Sequence, residues 1–572
     1  MSPLIFAYYC SGHGYGHATR VCAVATYLRQ LHASPTVLIV SSAPQHVFSQ
    51  AISSGALYRH ADIDPVIVQP LAYHVDRRKS VDVLERFLSE QDRKIREEVE
   101  WLKQNLVDCV LSDAAFLACK AANAAGLPSV LITNFTFDSV YSYLSINLPS
   151  LSSPNPNNDP HNNNSAPLDD TPILEEELQP LVRELHEGYR CADLLLRLPG
   201  NIPIPSFGVL PPLPSHLWTV PEINRFHPEV LTSLSRNISD EKLHPQTHFL
   251  TGLKPLPRKI IQAPLIVRHP SEDIYTAAGR QRILDVVGVP DHLQTIDTKI
   301  LIVSFGGQIF RRPQSRTPSR SHSPTSASYS YSQQPDVLVT RTASTESTSS
   351  TDSSDSTSSS TSLVHVVPPL VTDLHIWVPG APPASKSPIT PIATQLQKPQ
   401  LEETEINDDL EHESTFLPDD SWIAVVCGMT ASSTDDSEEL PRNFFVAPRD
   451  VYMPDLTAVA DVLLGKLGYG TTAECVDAAT PFVFVPRPLF VEEHGLRRLL
   501  EEQGTGVELT RTMYEAGDWK EAVSRAWELG REKKKARKEL GLRIGADGGR
   551  RKEGEQMVHE LIEWANAWRN AQ

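Results

Sequence analysis

Short apolar runs that stop at a polar or glycine-rich turn and pass into an amphipathic stretch constrain this chain more than any other feature. Leu4–Tyr9 leads into Ser11-Gly12-His13-Gly14-Tyr15-Gly16-His17-Ala18-Thr19-Arg20, and a helix is predicted from about Ala18 to Leu31. Thr36–Val40 is the next strand, and Val66–Gln69 is predicted as a third. A long helix over Ser80–Gln104 follows, then strand Val107–Leu111, helix Ala114–Ala125 and strand Ser129–Thr133. Strands that alternate with helix-length segments build βαβ units, and these predict a parallel sheet covered on both faces. Helix Glu175–Cys191 and strand Leu194–Arg197 continue the order, whereas the Pro-rich stretch 203–245 carries weak signals.

The same grammar returns later. Gln262–Arg268 reads as a crossing segment, followed by a helix over 276–287 and a strand, Lys299–Phe305, that ends in Gly306-Gly307. Strands are predicted at Trp422–Cys427, Phe444–Ala447 and Phe482–Val485. Helices are predicted at about Leu456–Leu463, Thr471–Ala478 and Glu493–Gln503, and from Trp519 to Trp568 with a break near Gly541–Gly549. Between the two sets lies Arg311–Thr415, in which Ser344–Ser362 is almost entirely Ser, Thr and Asp. Such a composition buries too little apolar surface to offset its ordering entropy. It is expected to be a disordered insertion and a target for a protein kinase. The predicted organisation is α/β: two doubly wound domains, 1–255 and 256–310 with 416–572, and an insertion at 311–415.

Composition narrows the function classes. The 572 residues carry a net charge of −18, which repels nucleic-acid phosphates, so no nucleic-acid partner is expected. The basic stretch Arg531–Lys538, with Arg550-Arg551-Lys552, reads as a solvated helix face, the alternative being a membrane or partner contact. Seven cysteines (Cys10, Cys22, Cys109, Cys119, Cys191, Cys427 and Cys475) form no CxxC pair and read as reduced, buried thiols, with no metal site. The first residues lack a basic n-region and a cleavage signature, and no run reaches the ~18 apolar residues a membrane span needs. The expectation is a cytoplasmic protein without a transmembrane segment.

Three regions carry candidate chemistry. The loop with Gly12, Gly14 and Gly16 sits at the carboxyl end of the first strand, where open α/β sheets bind ligands. Its spacing is G-x-G-x-G rather than G-x-G-x-x-G, and strand two ends without an acid, which disfavours a dinucleotide site. His17 and His13 are both placed to take a proton from a hydroxyl near neutral pH, and His17 at the helix start is preferred. Asp113 either orients an imidazole or caps the helix that follows it, and Asn134 and Asp138 are open in the same way. In the second set, Gly468-Tyr469-Gly470-Thr471-Thr472-Ala473-Glu474 opens a helix whose N–H groups suit a diphosphate. Glu474 lies one turn in, at the reach of a ribose diol, while Thr471 and Thr472 are open to being plain N-caps. Glu492 and Glu493, after strand Phe482–Val485, are either ligands for sugar hydroxyls or a solvated helix start. No P-loop spacing occurs, which argues against phosphoryl transfer from ATP.

Six motifs in order carry a resemblance: GHGYGHATR at 12–20, VLSDAAFLACKAA at 110–122, TNFTFD at 133–138, VSFGGQ at 303–308, LGKLGYGTTAE at 464–474 and PFVFVPRPLFVEEHGLRRLLE at 481–501. They resemble the glycosyltransferase-like N-terminal region of plant L-arabinokinases and stand-alone fungal relatives. More distantly they are similar to bacterial cell-wall N-acetylglucosaminyltransferases and other GT-B enzymes. The resemblance covers most of 1–310 and 416–530. It implies two Rossmann-like domains facing across a cleft, with the acceptor on the side of Gly12, Gly14, Gly16, Arg20 and Asn134. It places Gly306, Gly307, Gly468, Gly470, Thr471 and Thr472 along the nucleotide sugar, Glu474 on the ribose, and Glu492 and Glu493 on the sugar. His17, or His13, would be the base, with Asp113 in support.

The implied activity is transfer of a sugar from a nucleotide-diphosphate donor to a hydroxyl, without a metal or further cofactor. The alternatives are a non-catalytic nucleotide-sugar-binding or regulatory protein, an arabinokinase-related protein without kinase activity, and a hydrolase or epimerase of nucleotide sugars. No sugar-kinase domain is expected in the chain.

Overall fold

The apolar runs form the centres of two parallel sheets. The computed structural model describes residues 3–12, 15–32, 34–70, 72–148, 171–235, 254–305, 416–428 and 441–571, all within one compact unit. The first sheet contains β1 (Ile5–Cys10), β2 (Thr36–Ser41), β3 (Leu57–His60), β4 (Cys109–Asp113), β5 (Ser129–Thr133) and β6 (Leu194–Arg197). After a small hairpin of β7 (Thr219–Val220) and β8 (Arg225–Phe226), strand β9 (Lys259–Gln262) joins the first sheet beside β6. The strand order is β3-β2-β1-β4-β5-β6-β9, with every pairing parallel.

The second sheet contains β10 (Lys299–Ser304), β11 (Trp422–Val426), β12 (Phe444–Val446), β13 (Val462–Lys466), β14 (Phe482–Val485) and β15 (Gly506–Glu508). Its order is β12-β11-β10-β13-β14-β15, again all parallel. This is the two-sheet α/β architecture expected of a GT-B chain. In each sheet the order reverses beside the first strand, between β1 and β4 and between β10 and β13. Open sheets place ligands in the crevice outside such a switch point.

One apolar core runs through both halves. It joins one face of the first sheet and helix Tyr15–Gln30 to one face of the second sheet and helices Tyr469–Ala478 and Arg550–Ala571. The last helix returns to pack on the first, where Gly554 abuts the Tyr27 ring. The remaining faces of the two sheets have cores of their own.

Several expectations are corrected. The third strand is Leu57–His60, not Val66–Gln69, which lies between Pro65 and Pro70 outside any strand. The long helix over Ser80–Gln104 is two helices, Arg77–Ser89 and Gln91–Gln104, broken at Glu90. The helix expected over Leu456–Leu463 ends at Val459, and Val462–Lys466 is a central strand. Strand β15 went unpredicted. The basic stretch is not simply solvated: Lys534 bonds Thr457 O and Thr480 Oγ1, and Arg537 bonds the carbonyls of Asp477 and Ala546. All seven cysteines are free and buried. No helix among the described residues is long and apolar enough to cross a membrane. The predicted insertion lies outside the described residues.

Candidate functional site

The site grows from the carboxyl ends of β1 and β4. Registered side by side, the two strands deliver Cys10 and Asp113 to the same level, so the loop after β1 passes directly over Asp113. Ser11 N donates to Asp113 O at 3.2 Å. Helix Tyr15–Gln30 then brings His17 and Arg20, one turn apart, onto the Asp113 carboxylate. His17 Nδ1 lies 2.6 Å from Oδ1. Arg20 donates from Nε to Oδ2 at 2.5 Å and from Nη2 to Oδ1 at 2.6 Å.

Asp113 is fully buried and His17 is 6% exposed. Burial opposes ionisation of Asp113, but the Arg20 and His17 charges and hydrogen bonds outweigh it and hold the carboxyl below its usual range. The following helix is capped at Ala115, whose N–H bonds Ser112 Oγ at 3.1 Å, so Asp113 is not its N-cap. With Nδ1 engaged, Nε2 is the nitrogen through which His17 would act. Phe135 and Phe137 flank the imidazole at ring separations of 5.7 and 6.2 Å.

The network crosses to the second sheet. Arg20 Nη1 donates to Asn134 Oδ1 at 2.8 Å, and Asn134 Nδ2 donates to Glu492 Oε1 at 3.1 Å. The Arg20 guanidinium also lies 5.0 Å from the centre of the Tyr469 ring. Tyr469 is the first residue of helix Tyr469–Ala478, which begins at Gly468 without a side-chain cap. The first N–H groups of such a helix have no intrahelical partner, and the positive end of its dipole favours an anion. Thr471 and Thr472 therefore do not cap it. The buried Thr472 Oγ1 has no hydrogen-bond partner among the described residues.

Gly16 and Gly470 bring the two loops together. A Cβ on Gly470 would meet Thr19 Oγ1 at 2.6 Å and Gly16 Cα at 3.3 Å. Gly470 thus has a packing role in addition to the expected phosphate contact. Gly495 makes a second close approach, where a Cβ would lie 2.3 Å from Gly200 O.

The remaining expected residues are spread over both halves. Glu474 is buried and takes Arg268 Nε and Nη2 on Oε1 at 3.0 and 2.7 Å. Glu493 accepts from Arg487 N at 2.8 Å on Oε2 and from Arg497 on Oε1, within its own half. Of the acidic pair, only Glu492 bonds across to the first sheet. Neither acid is a solvated helix start, since both are buried. Asp138 is buried against His186 at 3.0 Å. Gly12 N donates to Asp64 Oδ1 at 3.3 Å. His13, Gly14, Gly306 and Gly307 lie outside the described residues.

Three residues escaped the sequence reading. Asp64 ties down the glycine-rich loop through Ser11 Oγ and Gly12 N, and burial pushes its carboxyl up to about 6 against those hydrogen bonds. Nothing near Asp64 in sequence marks it. Arg268 lies on the segment read as a crossing, where a lone arginine carries no signal. Lys466 ends β13 one residue before the turn. Burial and then the neighbouring Arg487 lower its amine to about 7, with Glu492 opposing. Its place directly before a glycine-rich helix start was a readable signal. Among the described residues no group of three His, Cys, Asp or Glu is placed to hold a metal ion.

No protein-family model matches the chain. Against curated proteins it aligns with one plant enzyme at 26% identity over 528 residues, 92% of this chain. It is similar to L-arabinokinase of Arabidopsis thaliana. The chain spans 32% of that arabinokinase's length. Among solved structures, a UDP-glucosyltransferase from Polygonum tinctorium that glucosylates indoxyl is 11% identical, with a TM-score of 0.46 and 99% of each chain covered. The calicheamicin glycosyltransferase CalG4 is 13% identical, with a TM-score of 0.44 and coverage of 99% of this chain and 98% of its own.

Proposed function

We propose that the chain is a glycosyltransferase that moves a sugar from a nucleotide-diphosphate donor to a hydroxyl. The observation that carries this reading is the buried His17–Asp113 pair at one switch point, set against an uncapped, glycine-opened helix from the other sheet. A general base and an anion cradle meeting at one place suit displacement of a diphosphate by an alcohol.

In that reaction the acceptor oxygen bonds to the anomeric carbon as the bond from that carbon to the diphosphate oxygen breaks. The diphosphate leaves with the bonding electrons, and the hydroxyl proton passes to His17 Nε2. Asp113 holds the ring through Nδ1 and stabilises the imidazolium. The N–H groups at Tyr469–Thr471, with Lys466 beside them, take the charge that develops on the diphosphate. Glu492 is the proposed ligand for the donor sugar's hydroxyls, which would exchange for its bond to Asn134. Glu474 is the proposed ribose ligand through Oε2, because Oε1 carries Arg268. The reading uses no metal or cofactor.

Similarity to an arabinokinase over 32% of that enzyme's length does not extend its phosphoryl transfer to this chain. A binding or regulatory protein without turnover is the second reading, favoured by Arg20, which takes both oxygens of Asp113 and lies 3.0 Å from His17 Nδ1, where it opposes a protonated imidazole. Titration calorimetry with UDP-, dTDP- and GDP-sugars, paired with product analysis, separates the two. Binding with sugar transfer supports the transferase, and binding without turnover supports the second reading. Free sugar alone indicates hydrolysis, and an isomeric nucleotide sugar indicates epimerisation.

A further inference from the structure

Glu474 lies just over one turn into helix Tyr469–Ala478, and Arg268 lies on the irregular segment between β9 and helix Ala277–Val287. That segment runs beside the helix start, where Ile266 N donates to Tyr469 Oη at 3.4 Å. Arg268 turns one edge of its guanidinium to a single oxygen: Nε and Nη2 both donate to Glu474 Oε1, at 3.0 and 2.7 Å. A carboxylate oxygen has two lone pairs, so Oε1 is filled. Glu474 Oε2 accepts no hydrogen bond among the described residues.

The surroundings hold Arg268 in this position. Its guanidinium is 5.7 Å from the centre of the Tyr452 ring, and Tyr452 Oη donates to His269 O at 2.8 Å. The side chains of Arg268 and Glu474 are only 18% and 8% exposed, and a buried cation that leaves its carboxylate needs another counter-charge. The other two carboxylates of this region are engaged. Asp455 accepts from Ser271 N and Oγ at 2.6 and 2.7 Å and from Arg282 Nη1 at 3.2 Å. Asp477, on the same helix as Glu474, is 2.8 Å from Arg550 Nε. Arg268 therefore keeps Oε1 when a ligand arrives.

A free carboxylate matches the two neighbouring hydroxyls of a ribose with one oxygen for each, the fork geometry of bidentate recognition. Glu474 has one oxygen to offer. We propose that Arg268 is a specificity-determining residue of the donor site: by filling Oε1 it leaves Glu474 to read one ribose hydroxyl, so that a nucleotide lacking the other hydroxyl binds as well as the ribonucleotide. The inference rests on the transferase reading for the presence of a nucleotide at Glu474. Where the unread hydroxyl is the 2′, the donor class includes sugars carried on 2′-deoxyribonucleoside diphosphates.

The test is titration calorimetry on the full chain with UDP, GDP and the 2′-deoxy and 3′-deoxy analogues of each. For whichever of UDP and GDP binds more tightly, removal of one hydroxyl is expected to cost about tenfold or more in affinity, the value of a hydrogen bond to a charged group, and removal of the other less than about threefold. The analogue that keeps its affinity identifies the unread hydroxyl. Arg268→Met frees Oε1 and keeps the carboxylate, and in this variant the second hydroxyl is expected to matter by about tenfold as well. Losses of that size for both hydroxyls in the parent, or for neither, overturn the proposal, as does an unchanged pattern in Arg268→Met. The comparison within the parent stands alone should the variant not fold. A protein that binds UDP or GDP with the wrong hydroxyl pattern refutes this inference and leaves the transferase reading standing, whereas binding of neither nucleotide removes both.

Discussion

His17 and Arg20, three residues apart on one helix, share a single buried carboxylate, Asp113, at 2.6 and 2.5 Å. The imidazole and the guanidinium therefore have opposed demands on Asp113. Arg20 neutralises it in the folded protein, and His17 needs its charge when a proton arrives.

Removing Asp113 exposes that division. Asp113→Ala leaves Arg20, 2% exposed, without its counter-charge. Loss of one partner from a buried pair costs about 3–5 kcal/mol. Urea denaturation is expected to show a loss of that size, and a loss below about 1 kcal/mol would contradict the burial argument.

His17 separates chemistry from binding. His17→Ala is expected to lower the transfer rate by about 10²–10⁴-fold, the contribution of a positioned base, and to leave donor affinity within about twofold. Steady-state kinetics alongside calorimetry measures both, and full activity in the variant would remove His17 from the mechanism.

Glu474 has two tasks that a pair of variants separates. Glu474→Ala is expected to weaken donor binding by about 1–3 kcal/mol, the value of a hydrogen bond to a charged group. Arg268→Met breaks the same ion pair yet keeps the carboxylate. Equal losses of affinity in the two variants would reduce Glu474 to a structural role.

The fold is legible in the sequence where strands are long and apolar, as in β1, β2, β10 and β11, and where glycine-rich turns follow them. Short segments carry too little pattern. Val462–Lys466 is a five-residue strand with three apolar side chains, next to a helix, and periodicity cannot separate the two at that length. Leu57–His60 is an edge strand whose first residue is 59% exposed, so it shows no buried run. At the site, residue types and loop positions were readable, but pairings were not. Arg268 and Glu474 are 206 residues apart, and Asn134 and Glu492 are 358 apart. Glu492 and Glu493 are adjacent in sequence, and only the helix start that turns Glu493 toward Arg487 and Arg497 tells them apart.

Gly470 supplies a steric test of the contact between halves. A Cβ there meets Thr19 Oγ1 at 2.6 Å and Gly16 Cα at 3.3 Å. Gly470→Ala is expected to reduce transfer at least tenfold, about 1.4 kcal/mol in free energy. Adding Thr19→Ala, which removes the nearer obstacle, is expected to restore part of it. An active Gly470→Ala protein would show that this close approach is dispensable.

His494 makes a prediction about pH. It is buried between Tyr143 and Phe226, and burial, then Arg497 and Arg225, lower its imidazole to about 3 from 6.5. The unfolded chain takes up this proton near pH 6.5 and the folded chain does not. The stability it contributes is thus present above about pH 6.5 and is lost as the pH falls toward 3. Asp64 and Asp477, each raised to about 6 by burial, act in the opposite direction between 3.8 and 6. The comparison is therefore between proteins: the urea midpoint of His494→Phe is expected to fall less than that of the parent between pH 6.5 and 4.5. Parallel curves would mean that His494 is not held neutral.

Sugar transfer itself is read in one incubation. The full chain is mixed with a panel of nucleotide sugars and hydroxyl acceptors, and mass spectrometry follows nucleoside diphosphate and glycosylated product together. Equimolar appearance of both is expected from at least one donor, slowed by about a hundredfold or more in His17→Ala. No glycosylated product from any donor, or product formed as fast by His17→Ala as by the parent, contradicts the transferase reading.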